Sequence, residues 1–334
     1  MKKFVTLLFT IFTFGLLFVA CSNNQSQEKG DEFANYPERP IELVVPFAAG
    51  GGVDLAARAV ADYLSIKWDT PVNVINKTGG GGIVGAQYAL EAKPDGYTVL
   101  MNNNSSTTMY EAGTTNPILT IEDHLLTARV ARSPLVYAVA VDAPWNDLHE
   151  LTEWVRQHPE ELTWASVGPA GFSSFGVAEW LTKAGIDYTQ TTMVSSEGAS
   201  DSTAKVAGGH VLLAVHNAGE VYSLVEAGKL KVLAVQSDTR SPLYPDVPTT
   251  EELGFNDLTV SWWTGISFPQ GTPEEIVKKW EEALFEMQND EEFQEQLEKI
   301  FLESAYLNSE EFNETVKNET ERFTKLAEET GIRK

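Results

Sequence analysis

The alternation of apolar and polar positions divides the chain into three parts. Phe4 to Ala20 is an uncharged apolar run behind Lys2 and Lys3. It reads as the h-region and positive n-region of an export signal rather than as a comfortable membrane span. Ser22 to Asn35 is polar and poor in apolar residues, which reads as a flexible tether. From Tyr36 onward short apolar runs alternate with amphipathic stretches, the pattern of a parallel α/β architecture.

The runs predict strands at Ile41–Val45, Val72–Ile75 and Tyr97–Met101, with helices over Asp54–Ser65 and Ile83–Ala92 between them. A long apolar strand, Ser133–Val141, looks like a passage into a second lobe. Beyond it come helices at Leu148–His158, Phe175–Ala184, Asp201–Gly208 and Val221–Ala227. Strands at Leu162–Ser166, Thr191–Val194, Val211–Val215 and Val232–Val235 alternate with them. Leu258–Phe268 is apolar and aromatic and could cross back. Thr272 then opens a long amphipathic helix with Pro273 in its first turn, and the rest of the chain to Lys334 reads as helical and acidic.

Charge narrows the partners. The 334 residues carry 24 Lys and Arg against 48 Asp and Glu, a net charge of −24, where nucleic-acid binding needs a basic face. Cys21 is the one cysteine, and Leu17-Phe-Val-Ala-Cys21 resembles a bacterial lipobox, with Phe18 where Leu is common. Cleavage before Cys21 and its lipidation would tether the body to the outer face of a membrane. No cysteine would then be left for a disulfide or a thiolate metal site.

The candidate chemistry lies where strands run into loops. Val45-Pro-Phe-Ala-Ala-Gly-Gly-Gly-Val-Asp54 joins a strand to a helix, so its backbone N–H groups and the helix start can face one anion. Gly50, Gly51 and Gly52 either allow close backbone approach to a ligand or simply make a tight turn. Asp54 fits a helix N-cap or a ligand contact, and Phe47 packs on a ligand or fills core. Asn103, Asn104 and Ser105 offer neutral donors at the next strand end, in a run that equally suits a solvated turn. Gly168 begins a second glycine loop in which Ser173 and Ser174 cap a helix or bind an anion. His216 and Asn217 end an apolar strand, where a histidine is either structural or a donor to a carboxylate. Gly80-Gly-Gly-Ile-Val-Gly85 fits a dinucleotide fingerprint, but the next strand ends in Asn102-Asn-Asn104 with no acid for a ribose. There is no Gly-x-Ser-x-Gly elbow and no His-Glu-x-x-His, so nothing assembles a nucleophile and base. No catalysis, cofactor or metal is expected.

Several stretches carry a family resemblance: Tyr36-Pro-Glu-Arg-Pro-Ile41, Val45–Asp54, Lys93-Pro-Asp-Gly-Tyr97, Ala227–Ala234, Tyr244–Thr250 and Gly271-Thr-Pro273. In this order they resemble the extracytoplasmic solute-binding proteins of tripartite tricarboxylate transporters, the TctC or Bug family. The resemblance implies an α/β type II periplasmic-binding-protein fold, two α/β lobes joined by two crossover strands. With the export signal and lipobox over 1–21 and the tether over 22–36 read from the residues, it places lobe 1 over 37–140 plus 259–334 and lobe 2 over 141–258. It also implies capture of a small carboxylate in the interlobe cleft and delivery to large and small membrane subunits. Ser196 joins the expected ligand residues at this point, through the matching loop Ser195–Glu197. The second-lobe loops depart from the family pattern. Ser195-Ser-Glu-Gly198 stands where relatives carry Pro-Tyr-Lys-Gly, and Gly209-His-Val-Leu212 where they often have Gly-Gln-Val-Asp. His216-Asn217 replaces Asp-Asn, so ligand identity does not transfer. A sensor presenting solute to a membrane receptor and a nicotinamide-dependent enzyme are the alternatives.

Overall fold

Ile41–Val45 forms strand β1, as its unbroken apolar run predicts, and only Glu42 along it keeps appreciable exposure. It lies near one edge of a six-stranded sheet. The structure, a computed structural model, describes Phe33 and residues 35–333. The expected signal peptide, the lipidation site Cys21 and nearly all of the tether lie outside the described residues. Within the described residues the chain from Pro37 onward clusters as one unit.

From β1 the chain enters helix α1 (Gly52–Trp68), then β2 (Val72–Asn76), α2 (Ile83–Leu90) and β3 (Thr98–Asn103). A buried π-helical turn, Ser105–Met109, leads into the short α3 (Tyr110–Gly113). Strand β4 (His124–Ser133) runs into β5 (Leu135–Ala140) across Pro134. The second half adds α4 (Leu148–Gln157), β6 (Thr163–Ser166), α5 (Phe172–Lys183), β7 (Thr192–Ser195) and α6 (Ala199–Ala207). Next come β8 (Ala214–Asn217), α7 (Ala218–Glu226), β9 (Leu230–Gln236) and β10 (Trp262–Pro269). The chain closes with α8 (Glu274–Met287), α9 (Glu291–Lys299), β11 (Glu303–Leu307) and α10 (Ser309–Thr330).

The first sheet has the order β11-β4-β10-β3-β1-β2. Strands β1, β2 and β3 are parallel, whereas β10 runs antiparallel to β3 and β4. The second lobe holds β8-β5-β9 and the parallel pair β6-β7, joined by a bridge between Trp164 and Leu213. The chain crosses between lobes twice, at Pro134 and through residues 237–261. This is the expected α/β type II architecture, with the sheets mixed rather than parallel throughout.

Three expectations need correction. The stretch Ser133–Val141 is not one strand. Proline lacks the N–H that a continuous ladder requires, and pairing with β8 and β9 puts Leu135–Ala140 in the second sheet. Asn102–Ser106 is not a solvated loop, because its side chains are buried beneath α10. The tail is not helical throughout. Glu303–Leu307 pairs with β4, and Phe301 at φ 60° turns the chain out of α9.

The first lobe is anchored by aromatic packing at the far end of α1. Trp280 of α8 is fully buried, with ring centroids 5.1 Å from Trp68 and 5.4 Å from Phe268. Trp280→Ala should cost about 3–5 kcal/mol, the usual range for emptying a large buried aromatic site. Urea denaturation reads this directly, and an unchanged midpoint would mean that α8 does not anchor the lobe.

Candidate ligand site at the strand ends

The loop after β1 is held open by its own acid. Gly50, at φ 83°, takes a conformation that side chains disfavour, and its N–H donates to Asp54 Oδ2 at 2.9 Å. Arg58 grips the same carboxylate through Nε and Nη2, at 2.9 and 3.0 Å, and Asn76 Nδ2 donates to Oδ1 at 2.9 Å. Asn76 also donates to the Phe47 carbonyl at 3.0 Å, which pins the start of the loop. Asp54 is therefore fully engaged within the first lobe. Burial alone would raise its pKa, but the hydrogen bonds from Arg58, Gly50 and Asn76 outweigh burial and hold it below the ordinary value.

The N-cap expected at Asp54 falls on Gly51 instead, which has no side chain to cap α1. Helix α5 starts in the same way, on Gly171. Neither helix start has a cap residue of its own, so its first-turn N–H groups and the positive end of its dipole are left to groups from elsewhere. The Ser173 hydroxyl donates to the Val215 carbonyl at 2.6 Å, and the Ser174 hydroxyl to the Gly168 carbonyl at 2.6 Å. Both hydroxyls brace the Gly168–Ser174 loop, so what this loop offers an anion is backbone N–H.

The two lobes meet at Gly52. A Cβ there would stand 3.1 Å from Asn217 Nδ2 and 3.4 Å from Trp262 Cζ2. The Gly52 N–H donates to Glu220 Oε1 at 3.3 Å, a bond from the first lobe to the second. Asn217 Oδ1 caps α7 by accepting from the Glu220 N–H at 3.0 Å, which turns its amide nitrogen toward Gly52. Gly51, by contrast, has only the Ala48 carbonyl near its absent Cβ, at 3.6 Å. The tight position in the glycine triplet is Gly52.

Several of the buried polar atoms without partners among the described residues lie at these strand ends, while His124 Nε2 and Ser202 Oγ lie elsewhere. Those at the strand ends include Asn104 Oδ1, Ser196 Oγ, His216 Nε2 and Asn217 Nδ2, from predicted residues on both lobes. Such atoms are costly unless something else satisfies them. The other Asn104 amide atom, Nδ2, donates to the Ser261 carbonyl at 2.7 Å, tying the site to the return crossover. Asn103 Oδ1 accepts from the Ser106 N–H at 3.1 Å and so shapes the π-helical turn that carries Ser105. Phe47 is half-buried, and its ring faces Gly82, where a Cβ would meet Phe47 Cζ at 2.8 Å. Gly85 likewise sits against Pro46, with a Cβ there only 2.7 Å from Pro46 Cα. Of the dinucleotide-like glycines, Gly82 and Gly85 are packing positions beneath the β1 loop. A surface groove between α10 and residues 121–126 is lined by none of the predicted residues.

Two acids that sequence reasoning passed over support the site. Glu179 of α5 is buried and accepts from the N–H groups of Thr259 and Val260, both at 2.9 Å, and from Gln236 Nε2 at 3.2 Å. It fastens the return crossover to the helix that starts at the site. A lone acid in the otherwise uncharged run Phe172–Leu181 was its one sequence signal. Glu319 of α10 accepts from Trp263 Nε1 at 2.8 Å and from Thr108 Oγ1 at 2.9 Å. Burial pushes it up to about 7, against the hydrogen bonds from Trp263 and Thr108. It lies in an acidic helix, where one more glutamate carries no signal.

The tripartite tricarboxylate transporter family receptor pattern matches residues 56–332. A protein of Cupriavidus necator described as UPF0065 protein in gbd 5'region is 31% identical over 307 residues, covering 90% of each chain. A structure of the periplasmic binding protein BugD superposes with a TM-score of 0.80 at 28% identity, covering 89% of this chain and 99% of that one. R. palustris Rpa4515 with adipate superposes at a TM-score of 0.81 and 26% identity, covering 89% and 98%.

The two acids should respond to pH in opposite directions. Asp54 is held low, so its contribution is present above its unfolded value of about 3.8 and is lost as pH falls through the lower folded value. Asp54→Asn should therefore be less stable than wild type at neutral pH, and the gap should close in acid. Glu319 is raised, so its contribution is whole below about 4.5 and fades as pH climbs toward 7. Glu319→Gln should flatten the decline in wild-type stability across that window. Urea midpoints in a pH series check both, and parallel curves for variant and wild type would refute the assignment.

Proposed function

We propose, starting from the chain's membership of the tripartite tricarboxylate transporter receptor family, that it is an extracytoplasmic binding lipoprotein for a small organic acid. In this reading a ligand carboxylate sits between the starts of α1 and α5. The observation that carries it is the set of unpartnered buried atoms on Asn104, Ser196, His216 and Asn217, drawn from both lobes. Backbone N–H groups at Gly50, Gly51 and Gly52, with Asn103, Ser105 and Phe47, complete one jaw. The Gly168–Ser174 loop, whose Ser173 and Ser174 contribute N–H groups, completes the other. The expected lobe bounds, 37–140 plus 259–334 and 141–258, shift in this reading to 37–133 plus 262–333 and the residues between, because β5 pairs with β9 and β10 with β4. Adipate in Rpa4515 supports an acid as the ligand class.

A ligand touching both jaws stabilises the closed form by its differential affinity for it. The protein binds and releases its solute unchanged, without cofactor or reaction, and hands it to large and small membrane subunits. Lipidation at Cys21 keeps it at the membrane. No described helix is long and apolar enough to cross a bilayer, which accords with attachment of that kind.

Thermal-shift screening against di- and tricarboxylates, aromatic acids and amino acids tests the ligand class. At least one acid should raise the melting temperature, and a flat response across the panel would defeat the reading. Gly52→Val should abolish that shift, since a Cβ there meets Asn217 and Trp262. Gly51→Ala, in an ordinary backbone conformation with open space, should retain it.

A further inference from the structure

The contact between Gly52 and Glu220 places a protein carboxylate where the proposed function places the ligand's. Glu220 comes from α7 in the second lobe, and Gly52 opens α1 in the first. Glu220 Oε1 accepts the Gly52 N–H at 3.3 Å, and its Oε2 lies 3.6 Å from His216 Nδ1. Among the described residues its ion pairing stops at that histidine, with no Lys or Arg. Arg58, on the same helix as Gly52, is already taken by Asp54. What holds Glu220 is therefore the helix start itself, where the positive end of the dipole favours a negative charge. Two further groups at this place lack partners: His216 Nε2 and Asn217 Nδ2, on side chains that are 6% and 1% exposed. Asn217 Nδ2 stands 3.1 Å from the position of a Cβ on Gly52.

We propose that Glu220 is a tethered competitor for the ligand's carboxylate, seated on the start of α1 until ligand displaces it. This rests on the carboxylate reading of the cleft. Two carboxylates cannot share one N–H and one imidazole without strong mutual repulsion, so occupation by Glu220 and by ligand is exclusive. Two consequences follow. The observed affinity is the intrinsic one reduced by the fraction of molecules from which Glu220 has swung away. The unliganded protein also carries a bond between its lobes that Glu220 supplies. The same factor applies to every acid that must evict Glu220, so Glu220 lowers the affinity for all of them alike, and a diacid owes its advantage over a monoacid to its second group at the start of α5.

Calorimetry on the full mature chain with adipate, succinate and butyrate tests this, comparing wild type, E220A and E220Q. E220A should bind the diacids about tenfold tighter, the size expected for one charge-assisted hydrogen bond at a helix start. Butyrate should gain by the same factor, leaving the preference for diacid over butyrate unchanged. E220Q, which keeps an acceptor without the charge, should fall between the two, and circular dichroism confirms that each variant is folded. Small-angle scattering of the unliganded proteins gives a second reading, with a larger radius of gyration expected for E220A. Diacid affinity in E220A equal to or weaker than wild type overturns the competitor. If no acid binds wild type or variant, the carboxylate reading falls instead. The scattering comparison still judges the latch in that case, and an unchanged radius of gyration overturns it.

Discussion

Helices α1 and α5 both start on glycine, so neither has a cap residue of its own to accept its first N–H groups. A helix start buried without acceptors is unfavourable, and the surrounding structure is arranged around that condition. Asp54 is the acid of the first turn of α1, yet it does not cap the helix. Its carboxylate is turned to Arg58, Asn76 and the Gly50 N–H, where it stiffens the loop. Ser173 and Ser174 behave alike at α5. They lie in the first turn of the helix, and they donate to the carbonyls of Val215 and Gly168. In both lobes the local polar side chains fix the shape of the loop, and the backbone N–H groups are left for something from outside it.

The lobes are held in register by groups far less conspicuous than the glycines. Glu179 collects two backbone N–H groups of the return crossover and the Gln236 amide, whose oxygen accepts from the Tyr137 hydroxyl at 3.0 Å. Glu319 joins the π-helical turn under the site to Trp263 on β10. Arg322 stands 4.0 Å from Glu319, at the limit of an ion pair. The hydrogen bonds of both acids come from neutral donors, a strongly directional arrangement in a low-dielectric setting. The crossovers, the Asn103–Ser105 turn and the two helix starts are thus coupled through hydrogen bonds rather than through apolar packing alone.

The meeting of Gly52 with Asn217 and Glu220 explains why the middle of the glycine triplet is not its critical position. Gly50 is required by backbone conformation, whereas Gly51 has an ordinary one and open space. Gly52 is required because the second lobe comes within van der Waals distance of it. That requirement belongs to the pairing of the lobes and cannot be read from the run of glycines.

Much of the architecture was legible in the sequence. The apolar runs located most strands, since alternation and burial are properties of each segment, and the strand–glycine–helix pattern pointed to the first jaw. Recurrent motifs carried the family, which local propensity alone would not have separated from other α/β folds. The edge strand Glu303–Leu307 was hidden, because a short, half-exposed strand between acidic helices has no hydrophobic signature of its own. The break at Pro134 was likewise hidden within one apolar run. Sequence also named Asp54, Ser173, Ser174, His216 and Asn217, but not what their polar atoms would face. Only tertiary structure turned the first three inward as braces and left His216 and Asn217 with unpartnered nitrogens at Gly52. The physical reason is that a hydrogen bond is a property of two positions. Gly52 and Glu220 are 168 residues apart, and no pattern along the chain encodes their distance in space.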